Sequence, residues 1–481
     1  MISSAEFVLL SPEILMAAGA LLLLMYGVFA GDRVSGTANL VGMIYCIIAA
    51  FLVWQMPDQR QYYLNGFLVH DSFASYVKVV VLLGSALALF MADAYARRHS
   101  IARPELAVLI MLAALGMMLM ISAHDLLSLY MALELQALAL YVLAAFQRDR
   151  LASSEAGLKY FVLGALSSGL MLYGMSLLYG SFGSTDYLVL ASSLSQGGAL
   201  PMPVLFGLVF VCAAMAFKVS AVPFHMWAPD VYQGAPTPVT AYFAAAPKVA
   251  AMAVFARLLL EPLMGAFNDW QQIIIFLSLA SMILGGFAAI TQTNIKRLMA
   301  YSSIAHVGYG LVGLAAGTAE GLQGLLVYLA IYFLNTLGTF AVILCLRHNG
   351  TAVENLSDLK GLSKTRPLLA LALTINMFSL AGVPPLAGFF GKFYVFMAAA
   401  EAQLIWLALV GLLMSAVACY YYIRIVKLVY FDEPDHGTDA VSEIGLRAVI
   451  AISAGYMVLF CVAPQPIIGT ALEAARGLLL R

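Results

Sequence analysis

The sequence predicts an all-α polytopic membrane protein with fourteen transmembrane helices. Two inverted five-helix repeats make up most of it, and the seventh and twelfth helices are broken. Three observations carry that expectation. First, 63% of the 481 residues are hydrophobic and only 10% charged, with a mean hydropathy of +0.94. A soluble domain is roughly 25% charged, so this chain has too little polar surface to cover itself in water. Second, runs of about 20 apolar residues, the length that crosses a bilayer, recur along the whole chain. Third, the basic residues alternate from one connection to the next.

The candidate spans begin near Phe7, Ser35, Ser72, Pro104, His124, Glu155, Met202, Val239, Trp270, Leu298, Gly321, Pro367, Ala402 and Glu443. Gln55–Asp71 is polar and reads as an interfacial loop, and turn signals such as Gly31-Asp32 and Ser192–Gly198 separate other spans. The start of the chain lacks a basic segment, and its first charge is Glu6, so it reads as a span rather than a secretory signal. If the N-terminus lies outside, one set of connections carries Arg33, Arg97, Arg98, Arg103, Arg148, Arg150, Lys159, Lys296, Arg297, Arg347, Lys360, Lys364, Arg366, Arg424, Lys427 and Arg447. The other side has Arg60, Arg257, Arg476 and Arg481, with Lys78 a little inside the third span. Basic residues collect on the cytoplasmic side, so both termini are expected outside. This divides the chain into a three-helix segment (1–103), a first five-helix repeat (104–262), a second inverted repeat (263–431) and a last helix (432–481).

Composition also excludes functions. Lys and Arg number 24 against 25 Asp and Glu, with no basic stripe for nucleic acid. The cysteines Cys46, Cys212, Cys345, Cys419 and Cys461 are far apart and form no CxxC, which argues against zinc and iron–sulfur sites. HExxH, Walker A and GxSxG motifs are absent. Gly308–Gly313 satisfies GxGxxG, but no strand precedes it, so it reads as close helix packing rather than a dinucleotide site.

Four charges fall deep within spans: Glu134, Lys218, Lys248 and Lys392. An ionised side chain at the bilayer centre costs at least ~2.5–3.5 kcal/mol on insertion scales. Desolvation lowers a lysine's affinity for protons and a nearby carboxylate restores it. A buried lysine whose carboxylate partner approaches and recedes therefore binds and releases a proton, as a pump requires. The competing reading is a Lys–Glu pair joining helices, or a lysine snorkelling to the interface. Two of the lysine helices also read as broken. The Lys218 span runs on through Pro223 towards Gln233, and the Lys392 span holds Gly382-Val383-Pro384-Pro385. Proline frees a carbonyl in the preceding turn, and broken helices at matching places in two halves mark transport sites. The interval from Glu134 to Lys218 nearly equals that from His306 to Lys392. An odd number of helices per repeat makes the second repeat inverted.

Other candidates admit two readings each. His306 fits a hydrogen-bonded core histidine or a relay group, and His225 lies just past the first break. Lys159 either pairs with Glu155 one turn before it or stands between Glu134 and the cytosol. Asp125 and Asp230 lie near span ends, where solvated charges are cheap. Tyr420, Tyr421 and Tyr422 read as packing or an aromatic belt.

The segment FKVSAVPFHMWAPDVYQGAPTPVTAYFAAAPK (Phe217–Lys248) resembles the signature of the antiporter-like membrane subunits of respiratory complex I, the NADH–quinone oxidoreductases. NIKRLMAYSSIAHVGY (Asn294–Tyr309) and SLAGVPPLAGFFGKF (Ser379–Phe393) are similar to that family too, and the resemblance runs along nearly the whole chain. It implies a proton-translocating subunit of a bacterial inner-membrane complex, both termini periplasmic, coupled to electron transfer from NADH to quinone. It also implies that this chain holds no cofactor. NADH, FMN, iron–sulfur clusters and quinone belong to partner subunits, and the partners are neighbouring antiporter-like and small membrane subunits within the lipid bilayer. By motif, Glu134 and Lys218 are the charge pair of the fifth and seventh helices, Lys248 the central relay of the eighth, and Lys392 the group near the exit. His306, His225 and Lys159 join the expected relay. No long amphipathic helix follows the fourteenth span, unlike the largest subunit of that family. The alternatives are a cation/proton antiporter subunit of a multisubunit Mrp-type complex and a structural membrane scaffold. The scaffold leaves the mid-span lysines unexplained.

Overall fold

The computed structural model describes residues 3–98, 101–195, 198–348, 351–434, 439 and 444–479. Of the residues named above, Glu443, Arg481 and the side chains of Arg97 and Arg98 lie outside that set.

Helix dominates because the chain is apolar enough that backbone groups must be satisfied within each segment. Helices α1 (Ser4–Ala30) and α2 (Ser35–Trp54) lead to a hairpin, β1 (Gln61–Tyr63) and β2 (Leu68–His70), then α3 (Ser72–Arg98). Next come α4 (Glu105–Ser122), α5 (Leu126–Ala144), α6 (Leu151–Phe182), the short α7 (Tyr187–Leu194), α8 (Met202–Val219), α9 (Trp227–Gly234), α10 (Thr237–Ala244) and α11 (Ala246–Leu260). The chain continues through α12 (Phe267–Ile290), α13 (Ile295–Ala315) and α14 (Ala319–Cys345) to the two-residue strands β3 (Arg347–His348) and β4 (Thr351–Ala352). It closes with α15 (Leu362–Thr365), α16 (Pro367–Ala381), α17 (Ala387–Glu401), α18 (Ile405–Phe431), α19 (Ile444–Leu459) and α20 (Gln465–Leu479).

Among the described residues, twelve spans are long and apolar enough to cross a membrane, counting α10 and α11 as one. Two of the fourteen expected spans fall short as single helices. The Pro367 span is split into α16 and α17, and α19 has 16 residues. Helices α10, α11 and α13 are almost wholly buried and form the middle of the bundle, whereas α1, α6 and α18 present apolar faces such as Leu21, Leu166 and Leu412 to the surroundings.

Close approach of the helices depends on small residues. A Cβ on Gly308 of α13 would lie 2.7 Å from Met282 Cγ and 2.9 Å from Ser278 O, both on α12. One on Gly313 would lie 2.9 Å from Gly321 O of α14. The GxGxxG run is thus a helix contact surface, as its sequence context suggests.

The breaks form where the backbone is forced to turn. Helix α8 ends at Ser220 in the left-handed region (φ 59°), and the Phe217 carbonyl there accepts from both Ser220 N (3.0 Å) and Trp227 Nε1 (3.0 Å). Helix α16 ends at Gly382 (φ 87°), where glycine tolerates the left-handed turn. A further break separates α10 from α11 at Ala245, just before Pro247 and Lys248. The sequence reading treats that eighth span as continuous.

Several charges read as solvated prove to be buried. The Gln55–Asp71 stretch is not a plain interfacial loop: its hairpin delivers Asp71 into the protein, 1% exposed. Arg257, also 1% exposed, bridges Asp71 (2.7 and 2.9 Å) and Glu261 (3.2 Å). Arg60 ion-pairs with Glu261, and His124 Nε2 lies 3.3 Å from the same carboxylate. Burial and the cations Arg60 and Arg257 push His124 down to about 4, so it is neutral. Burial works to raise the Asp71 pKa, but Arg257 beside it and the Ala74 amide hold it below the usual carboxylate range. Lys78 pairs with Glu13 inside the first helices (2.6 Å). Asp125 is buried as the N-cap of α5, accepting from Leu127 N (2.7 Å), because a capping carboxylate needs no water.

Arg257→Met leaves the buried Asp71 carboxylate unpaired, which costs about 3–5 kcal/mol. Thermal unfolding of the detergent-solubilised protein should show that loss, and Asp71→Leu added to Arg257→Met should recover part of it. Because the folded Asp71 pKa is depressed, its contribution is present above the ordinary carboxylate pKa and lost as pH falls through the folded value.

Candidate functional site

Of the expected relay residues, Lys218, Lys248, His306 and Lys392 line two clefts inside the bundle. Around the first break, Lys218 (last turn of α8) and Lys248 (first turn of α11) line one narrow cleft with Gln136, Tyr160, Trp227 and Phe243. Its size admits about one water. Tyr160 stacks on Trp227 with ring centroids 4.4 Å apart, which fixes the wall of the cleft. Lys248 is 3% exposed; its Nζ donates to Ser303 Oγ of α13 and stands 5.4 Å from the centre of the Tyr232 ring.

Glu134 and Lys218 make no direct ion pair. The Glu134 carboxylate accepts from the Ser168 hydroxyl of α6, and Lys218 faces the cleft. His225 lies in the turn between α8 and α9, half-buried, and is not among the residues lining that cleft. Lys159 is in neither cluster. It is 42% exposed and bridges Glu155 (2.7 Å) and Asp230 (2.8 Å), and Asp230 also accepts from Arg297 Nη1 (2.6 Å). The pairing of Lys159 with Glu155 is therefore present, enlarged by a carboxylate on α9.

The second cluster surrounds the α16–α17 break. Lys392, 6% exposed, reaches back from α17 to the end of α16. There Nζ donates to the freed Ala381 carbonyl (2.9 Å) and to Ser415 Oγ of α18 (2.7 Å), with the Tyr309 ring centre 4.9 Å away. The break and the lysine fit each other: the helix end leaves a carbonyl without a partner, and the ammonium satisfies it. Gly382 allows the approach, since a Cβ there would lie 3.0 Å from Lys392 Cδ.

His306 stands between the two clusters and contacts tyrosines on both sides. Its Nδ1 contacts Tyr328 OH of α14, and its Nε2 is 2.9 Å from Tyr422 OH of α18. Tyr422 OH is in turn 2.5 Å from Ser302 Oγ, next in sequence to Ser303, the partner of Lys248. His306 and Lys392 line a common cleft with Tyr328, Tyr332, Asn335 and Ser379. Hydroxyls and one imidazole therefore lie between Lys248 and Lys392 in two hydrogen-bonded pieces, Lys248–Ser303 and Ser302–Tyr422–His306–Tyr328, and the second shares a cleft with Lys392. The relay roles of these residues are an inference from that geometry.

Sequence reasoning missed Ser168, Ser302, Ser303, Ser415 and Tyr328, and read Tyr422 as packing. Tyr422 is fully buried and hydrogen-bonded, whereas Tyr420 is 59% exposed. One signal was available for Tyr422: it follows Lys392 by the same interval at which Lys248 follows Lys218. Nothing comparable distinguishes the serines. Among the described residues, no group of three or more His, Cys, Asp or Glu side chains is placed to hold a metal ion.

Residues 123–418 match the family described as NADH:quinone oxidoreductase/Mrp antiporter, transmembrane region. The chain is 54% identical over 472 residues to NADH-quinone oxidoreductase subunit N of Rhodospirillum rubrum, covering 97% of this chain and 96% of that one. It is 53% identical to subunit N 1 of Rhizobium meliloti, covering 98% of each. Its fold superposes on a chain of respiratory complex I from Thermus thermophilus with a TM-score of 0.82 at 30% identity, covering 95% of this chain and 98% of that one. It also superposes on a chain of the Mrp complex from Dietzia with a TM-score of 0.85 at 20% identity, covering 99% and 98%, a likeness of fold. The chain is a multi-pass membrane protein of the NADH:quinone oxidoreductase/Mrp antiporter family.

Proposed function

We propose that this chain is the subunit N of a bacterial NADH–quinone oxidoreductase and moves protons through its buried lysines, while NADH oxidation and quinone reduction take place in partner subunits. The single observation that carries the mechanism is the set of buried hydroxyls and one imidazole lying between Lys248 and Lys392, with His306 and Lys392 on a common cleft. Near full-length identity of about half to relatives named as that subunit supports the assignment.

In this reading Glu134 and Lys218 form the responsive pair. With Glu134 held by Ser168 and Lys218 turned to the cleft, the pair is apart. An electrostatic change in a neighbouring subunit brings the two together or separates them, and this alters the proton affinity of Lys218. Lys248, sharing the cleft with Lys218, responds by releasing or taking a proton across Ser303, and Tyr422 and His306 carry it towards Lys392. Moving one charge against 100 mV costs about 2.3 kcal/mol. A swing of about 2 pKa units, at about 1.36 kcal/mol each, covers it.

The finer architecture belongs to the same proposal. Counting α16–α17 and α19 as crossings with the twelve long spans gives fourteen, with both termini periplasmic by the distribution of basic residues. Helices α4–α11 and α12–α18 are read as the inverted repeats. Supporting this are the paired contacts of α4 with α5 and of α12 with α13, and the equal steps from Lys218 to Lys248 and from Lys392 to Tyr422.

Lys248→Ala should abolish proton translocation by the purified complex in proteoliposomes while subunit composition stays intact. A Lys248→Ala complex that pumps normally would refute the reading. Tyr422→Phe removes the hydroxyl between Ser302 and His306 and should lower pumping about tenfold or more, the scale of a lost proton-transfer group. If the chain instead served a cation exchanger, vesicles holding it would show sodium-driven proton movement without NADH or quinone.

A further inference from the structure

A group of charged side chains that the relay does not use lies at one end of the bundle. Arg150, Glu155, Lys159, Asp230, Gln233 and Glu354 line a polar pocket of about 240 Å³. Behind its Arg150 and Glu354 wall runs a graded series. Arg150, 37% exposed, donates to Glu354 (3.1 Å); Glu354, 25% exposed, lies 3.4 Å from Lys296 Nζ; Lys296 is 1% exposed. Glu354 is held in place by its backbone, because Ile295 N donates to Glu354 O (2.8 Å) and Leu356 N to Thr293 O (2.8 Å). The loop is thereby pinned against the start of α13, and the carboxylate sits over Lys296. Burial works to raise the Glu354 pKa, but Lys296 and Arg150 hold it below the usual carboxylate range, so it stays ionised at neutral pH.

Lys296 and Lys248 flank the same turn of chain. Lys296 Nζ donates to Ala235 O at the end of α9 (3.2 Å), and Lys248 Nζ faces the ring of Tyr232, one turn earlier. The Tyr232 hydroxyl is fully buried beside Ser303 and makes no well-formed hydrogen bond to the protein, so a water is its natural neighbour. Lys296 and Ser303, the partner of Lys248, also lie on one face of α13, about two turns or roughly 10 Å apart.

Resting on the proton-pumping reading above, we propose that Lys296 is the relay through which a proton from this pocket reaches Lys248, with Glu354 as the positioning residue that keeps its ammonium directly behind the pocket wall. One N–H bond of the Lys296 ammonium breaks, and the proton passes inward by water at Tyr232 to form an N–H bond on the Lys248 amine. The neutral Lys296 amine then takes a proton from hydronium in the pocket. One proton has moved and Glu354 is unchanged. The charged and titratable groups facing Lys296 and Glu354 are Arg150, Glu155 and Lys159 from the start of α6, Asp230 from α9, Arg297 from α13 and Tyr95 from α3.

The test uses the intact complex in proteoliposomes. Lys296→Arg keeps the positive charge and the Glu354 pair, but a guanidinium does not release its proton in proteins. Pumping should fall about tenfold or more, the scale of a lost acid–base group, in a complex that still assembles. Glu354→Gln should retain pumping at acid pH but move the alkaline limb of the profile to lower pH by about one unit, because no carboxylate favours the ammonium. Normal pumping by Lys296→Arg, or an unmoved alkaline limb in Glu354→Gln, would overturn the proposal. Should Lys296→Arg fail to assemble, the Glu354→Gln profile decides alone. Lys248→Ala separates the two levels. If it is inactive while Lys296→Arg pumps normally, only the intake role of Lys296 is lost; if it pumps normally, the pumping reading itself fails.

Discussion

The chemistry of this protein depends on what holds its buried ammonium groups. Lys248 rests on a serine hydroxyl and a tyrosine face, and Lys392 on a serine hydroxyl, a freed backbone carbonyl and another tyrosine face. These hosts solvate a cation but carry no charge of their own. An unshared carboxylate in contact would favour the ammonium and retain its proton, whereas Glu354 beside Lys296 is shared with Arg150, which offsets that pull. Neutral hosts leave the balance between amine and ammonium open to a distant charge. Broken helices are the means of supplying such a host, since a helix end offers a carbonyl where an unbroken helix has none.

Elsewhere the fold uses the opposite solution. Lys78 meets Glu13, and Arg257 meets Asp71 and Glu261, in direct buried contact. These charges are mutually compensated and join the hairpin to α1, α3 and α11. Breaking such a pair is costly because the survivor remains buried alone. The same helix, α11, carries Lys248 in its first turn and Arg257 in its last. Between them it is apolar and buried, so the mobile and the fixed charge are separated by dry packing.

Much of the architecture was legible in the sequence because lipid makes charges and prolines conspicuous. Lys218, Lys248, Lys392 and Glu134 stood out as ions within apolar runs, and Pro223 and Pro384-Pro385 announced two of the breaks. The break at Ala245 was hidden, because Pro247 can start a helix as readily as interrupt one. The count of spans was blurred where the Pro367 segment divides into two short helices. Charges near span ends misled for a clear reason. Proximity to an end suggests solvation, but Asp71 and Arg257 turn inward to each other, and Asp125 caps α5 and accepts from the remote Thr185 hydroxyl. The hydroxyl groups were least visible. Serine and tyrosine are ordinary in membrane helices, and only three-dimensional proximity shows that Ser303 meets Lys248 and that Tyr422 meets His306.

The most direct measurement of this account replaces a neutral host by a charged one. Ser303→Asp sets a carboxylate beside Lys248 without removing any lysine, and Ser303→Thr keeps a hydroxyl there. In proteoliposomes holding the assembled complex, the aspartate variant should stop proton translocation while the threonine variant retains most of it. Pumping at the ordinary rate with aspartate at that position would contradict the claim that uncharged partners keep the Lys248 proton free to move.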